Sequence, residues 1–226
     1  MMDGTTNPSL DVKQERFVLQ AHFVSPVFDF FKDLPSLSRH LFHALGSDYS
    51  LRLSNVRFET GAGSLGDVFL RLAWPDLAEV RIFLDRIEIE SSFLRFLRFQ
   101  GRDLVGDVLN VAAEYAQNSQ FRTYSVTQEV HGELIGQTRS EFLARFAPSV
   151  PEGFGPVLGA GIVFYFGEEK DHLFASFTLD FSRNVEGGVF VQSVVLYDAS
   201  RVSAGELQIL SRSHFESVFD GIGLTR

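Results

Sequence analysis

Residues 121–135, FRTYSVTQEVHGELI, decide how this chain is read. The segment is strand-like and lies just past the middle of 226 residues, directly behind a helical pattern. If it opens a second series of elements, one order of strand, helix, meander and helix is run through twice.

On its N-terminal side, RFVLQAHFV (residues 16–24) is rich in β-branched and aromatic residues and is followed by Pro26, which suits a first strand. LPSLSRHLFHALG then places Leu34, Leu37, Leu41 and Leu45 at helical spacing, with Pro35 in the first turn and Gly46 past the last. LRLSNVRFET, DVFLRLAW and EVRIFLDRIEIES follow as a meander of three or four strands, broken by GAGSLG and by Pro75-Asp76. RDLVGDVLNVAAEYAQN aligns Leu104, Val105, Val108, Ala112 and Tyr115 on one helical face.

On its C-terminal side the order returns. TRSEFLARF has Thr138 and Glu141 at the spacing of a capping box. VLGAGIVFYF, HLFASFTLDF and VFVQSVVLYD read as three strands separated by GEEKD and SRNVEGG. SAGELQILSRSHFESVF is a helix, with Ser203 and Glu206 as its capping box and Leu207, Leu210, His214 and Val218 on one face. The expected fold is α+β, with two similar halves, each strand-helix-antiparallel meander-helix, packed as one compact unit. Its divisions are a flexible tail over 1–14, a first half over 15–118 and a second over 119–226. No Pro/Gly/Ser-rich linker separates the halves, so each is expected to cover the other's apolar faces.

These patterns resemble an uncharacterised, sporadically distributed family of bacterial proteins. The likeness is carried by an N-terminal strand of the VLQAHF type, a helix like GRDLVGDVLNVAAEYAQ leading into FRTYSVTQEVHGELI, and VVLYD before ELQILSRSHFESVF, and it spans about residues 15 to 220. It implies the layout and brings no activity.

Composition narrows the function. Twenty-four phenylalanines point to an aromatic-filled core. A net charge of −9 opposes a phosphate backbone, so nucleic acid is not an expected partner. The absence of cysteine excludes disulfides, thiolate metal sites and a cysteine nucleophile, and is compatible with a reducing cytoplasm, where the protein is expected. No apolar run approaches the ~20 residues of a membrane span. The polar N-terminus shows no basic region leading into an apolar one.

Chemical motifs are sparse. GAGSLG matches the glycine pattern of a pyrophosphate cradle, but a strand follows where a helix is required, so it reads as a hairpin connection. His40 and His43 share a helix without a third ligand at matched spacing, while His22, His131, His172 and His214 fall on other elements. Neither a metal nor another cofactor is expected. Glu88 and Glu90 alternate along one strand and read as a solvated face, whereas Asp180, between strand hydrophobics, is a candidate for burial. No catalytic residue is assigned.

FLRFLRF (residues 93–99) fits neither a helical nor a strand period and reads as a connection whose rings fold onto the core beneath the arginine stems. Its Phe93, Arg95, Phe96, Arg98 and Phe99 are also the candidate partner-binding residues. The leading expectation is a non-enzymatic binding or interaction protein whose partner is another protein or its own copy. The alternative is a small apolar-ligand binder or enzyme with a helix-grip-like cavity.

Overall fold

A computed structural model of the chain describes residues 8–60, 68–92, 97, 102–116, 119–146 and 161–226. The first half runs β1 (Ser9–Phe23), α1 (Asp29–Lys32), α2 (Leu34–Leu45), then β2 (Val56–Thr60), β3 (Val68–Trp74), β4 (Ala78–Ile82), β5 (Arg86–Ser91) and α3 (Leu104–Tyr115). The second runs β6 (Phe121–Ile135), α4 (Arg139–Ala144), β7 (Ile162–Phe166), β8 (Phe174–Phe181), β9 (Val189–Asp198) and α5 (Ala204–Gly221). The expected α+β class holds.

The nine strands among the described residues form one antiparallel sheet, ordered β2-β3-β4-β5-β1-β6-β9-β8-β7. At its centre the two fifteen-residue strands β1 and β6 pair along their lengths, with Leu19 opposite Val126 and Ala21 opposite Tyr124. In each half the last strand of the meander returns to pair with the first strand, β5 with β1 and β9 with β6.

Alternation decides which face is covered. Phe17, Leu19, Ala21 and Phe23 of β1 join Leu37, Leu41 and Leu45 of α2 and Val105, Val108 and Ala112 of α3 in one core cluster. Val130, Leu179 and Val191 meet Phe142 of α4 and Phe215 and Phe219 of α5 in a second. Each fully buried leucine stabilises the fold by roughly 1.5–3 kcal/mol. The opposite sheet face carries ion pairs, including Arg71 with Glu79 at 2.5 Å, Arg81 with Glu90 at 3.0 Å and Arg16 with Glu90 at 2.8 Å. The two halves also touch through their helices, where Gly106 of α3 comes close to Gly205 of α5.

Local signals account for most boundaries. Asp33 and Asp103 cap α2 and α3 by accepting from the backbone N–H groups of Ser36 and Val105, each at 3.1 Å. Both predicted capping boxes form. The Trp74 indole donates to the Tyr49 carbonyl at 2.8 Å, and the Tyr49 hydroxyl donates to Asp107 at 2.6 Å, so the segment after α2 is tied to β3 and α3.

Two expectations about the fold are corrected. β1 begins at Ser9, so residues 9–14 of the expected tail are strand. The pattern there is interrupted by a bulge between Val12 and Gln14, and it is pairing with β6 that extends the strand. Gly132 permits the close approach, because a Cβ there would lie 2.7 Å from the Asp11 carbonyl oxygen. The meander has four strands, within the expected three or four, because EVRIFLDRIEIES divides into β4 and β5, with Phe83 donating its backbone N–H to the Arg86 carbonyl across the turn. The buried face of α5 is rotated from the predicted one and centres on Leu207, Ser211, Phe215 and Phe219, which leaves Leu210, His214 and Val218 half-buried.

Candidate functional site

Two features converge at the β7 end of the sheet. The first is an exposed edge. β7, IVFYF, pairs with β8 on one side, and no described residue pairs with its other side. Val163, Phe164, Tyr165 and Phe166 are 46%, 39%, 72% and 51% exposed, and Phe174 beside them is 38% exposed. Phe164 stacks on Phe177, and Tyr165 leans on Phe174, so aromatic surface continues from the edge strand onto β8. No charged residue interrupts β7.

The second feature is a polar cluster where the turn between β7 and β8 meets α5. Tyr197, fully buried on β9, has its hydroxyl 2.9 Å from Nδ1 of His214 on α5. The other ring nitrogen of His214, Nε2, lies 3.3 Å from Asp171 Oδ2, and Asp171 Oδ1 lies 3.0 Å from Nδ1 of His172. Nε2 of His172 is buried without a hydrogen-bond partner among the described residues. Burial pushes the His214 pKa down despite the nearby Asp171 carboxylate, and burial pushes the Tyr197 hydroxyl far up. At Asp171 burial acts upward, but the His172 hydrogen bond and the His214 charge outweigh it and hold the carboxyl below its usual range.

A groove of about 1600 Å³ runs beside β1 and α5, lined by apolar Phe17, Phe215 and Leu224 and by charged Glu15, Arg212 and Asp220. Its mixed, open lining differs from the enclosed apolar cavity of the helix-grip alternative. Gln208 on the buried side of α5 leaves its Oε1 without a hydrogen-bond partner among the described residues, while Gln128 donates to Ser211 at 3.2 Å.

The candidate partner-binding residues Phe93, Arg95, Phe96, Arg98 and Phe99 lie outside the described residues, as does GAGSLG. Leu97, in the same segment, is buried in the core. Thr60 and Val68, which flank the glycine run, are paired across two antiparallel strands, so the run precedes a strand. His40 and His43 are exposed on α2, with His40 against the Tyr115 ring. Glu88 and Glu90 do share the open sheet face, but Glu88 is largely buried among Arg81, Arg86 and Gln20 rather than solvated. Asp180 is half-buried, and its carboxylate accepts from the backbone N–H of Phe181 at 2.7 Å.

His172 and His214 stand on separate elements in sequence, and the fold brings them together. The available signal was His214 on the predicted inner face of the last helix together with an Asp-His pair leading into β8. What sequence lacks is the return of α5 across the sheet to that turn.

No family model matches the chain, and no curated protein matches it. Among solved structures the chain is similar to the rolling circle replication initiator protein from Geobacillus stearothermophilus, at 9% identity and a TM-score of 0.37, over 89% of this chain and 78% of that one. A TM-score of that size supports no inference about function.

Proposed function

We propose that this chain is an interaction protein of non-enzymatic type, and that β7 is its docking edge, taken up by β7 of a second copy. One observation carries the reading: an uncharged strand that is outermost and unpaired on one side among the described residues, with four of its five side chains apolar and exposed. Such an edge offers a row of free backbone donors and acceptors, which proteins otherwise blunt with charge, proline or a bulge. A second copy suits it because a chain of net charge −9 repels its own kind except where charge is missing, and β7 is such a stretch. Antiparallel pairing about a two-fold axis through Phe164 would set Val163 against Tyr165 of the other copy and join two sheets.

The rest of the reading is coarser. No helix among the described residues is long and apolar enough to cross a membrane. We assign the chain to the cytoplasm on its lack of cysteine, and to partners other than nucleic acid on its charge. The recurring element order about the β1–β6 seam supports an origin by internal duplication, and the resemblance to a bacterial family remains part of the proposal.

Sedimentation over a range of concentrations tests the edge. The native chain is expected to dimerise, and Tyr165→Lys to weaken the dimer about 30-fold, the effect of losing one interface hot spot. A native chain that stays monomeric at every concentration, or a lysine variant that dimerises equally well, overturns the reading.

A further inference from the structure

We propose that Asp171, His172 and His214 form a binding site for a zinc-class divalent ion, fastening the β7–β8 turn to α5. One ligand atom from each residue lies within 4.8 Å of the other two, and all three residues are half-buried. Two imidazoles and a carboxylate form a donor set that zinc accepts, and three protein ligands leave a fourth position for water or another ligand. At bond lengths of about 2.0–2.1 Å, neighbouring donors of a tetrahedral zinc stand about 3.3 Å apart. The imidazole nitrogens face the two Asp171 oxygens at 3.0 Å and 3.3 Å. Small side-chain movements therefore suffice to bring the three donors onto one ion.

The surroundings also suit a metal. When His214 binds through Nε2, its Nδ1 carries the proton and donates to the Tyr197 hydroxyl 2.9 Å away. That contact fixes tautomer and ring orientation, as partners behind metal-bound histidines commonly do. The turn is held independently, since Glu169 donates its backbone N–H to the His172 carbonyl at 2.9 Å and Arg201 pairs with Glu168 at 2.6 Å. An ion here would brace the hairpin whose outer strand is β7, though the site's geometry does not depend on what β7 binds.

The test is titration of the full chain, freed of metal, with zinc alone and, for geometry, with cobalt(II). One zinc per chain is expected, with the visible absorption of a tetrahedral cobalt site. Asp171→Asn, which keeps shape and removes charge, should weaken zinc at least 100-fold, and Tyr197→Phe about 10-fold. His40→Gln with His43→Gln should leave affinity unchanged. His214→Gln supplies a second ligand deletion, with circular dichroism reporting whether each variant is folded. A native chain that takes up no zinc at submillimolar concentration overturns the site, as does binding that survives both Asp171→Asn and His214→Gln or is lost with His40 and His43. Oligomeric state is not the readout, so failure here and failure of the β7 docking edge are told apart.

Discussion

Among the described residues the sheet ends in two five-residue strands that occupy equivalent outer places and are built in opposite ways. β2, VRFET, carries Arg57 and Glu59, and Glu59 reaches Arg71 of β3 at 3.3 Å. Its exposed Phe58 lies against Phe31. β7, IVFYF, has no charge, and its aromatic surface is continued by β8. An outer place in the sheet therefore does not by itself make an edge available. The polar side chains of β2 keep a chance strand from pairing there, and nothing of that kind stands on β7.

The contrast has meaning only if both edges belong to one folded unit, and the largest expected effect tests this. Leu41→Ala in the first half and Phe215→Ala in the second should each cost about 2–5 kcal/mol by leaving a cavity in a core cluster. Each should lower one transition seen alike by circular dichroism and by tyrosine and tryptophan fluorescence, because β1 and β6 make the halves one sheet. Two separated transitions would break the comparison and make the β7 end a domain of its own.

Much of this architecture was legible in sequence. β6 and β9 coincide with the segments read as strands, and the Thr138–Glu141 and Ser203–Glu206 boxes mark true helix starts. These are local signals, in which neighbouring residues satisfy each other's backbone groups. The misreadings are tertiary. Leu10 and Val12 alternate with polar neighbours for only five residues before the polar run Lys13 to Arg16 breaks the period, and pairing with β6 carries the strand through it. VLGAGIVFYF reads as a strand with no place in the sheet, and only the strand order puts IVFYF outermost among the described residues. The Asp171, His172 and His214 cluster was hidden for the same reason, being made by α5 crossing back to a turn. The sequence's own candidates near Phe93 rested on composition alone.

A smaller effect compares the halves through one histidine each. Burial lowers the pKa of His22 on β1, where Asp85, Arg86, Arg122 and Glu88 also act on it, and of His131 on β6, which faces Ser182, Asn184, Phe190 and Glu129. The folded chain therefore resists protons that the unfolded chain accepts. This stability is present above the unfolded value of about 6.5 and is lost as pH falls through the depressed folded values. Thermal denaturation should show a fall in Tm from pH 7.5 to pH 5, smaller than that caused by either core truncation. His22→Gln and His131→Gln should each flatten the slope, and a slope unchanged by both would assign it to other groups.

The most direct measurement uses the absence of cysteine, which gives any introduced thiol a clean background. Phe164→Cys puts one thiol at the centre of β7, and Phe58→Cys puts one at the centre of β2. On a two-fold axis, residue 164 faces itself across the strand pair at a Cβ separation of about 4.5–5.5 Å, close enough for a disulfide after slight adjustment. Under mild oxidation Phe164→Cys should become a covalent dimer that retains the native circular dichroism, and Phe58→Cys should stay monomeric. A monomeric Phe164→Cys, or equal cross-linking through Phe58→Cys, would contradict β7 as the edge through which two copies meet.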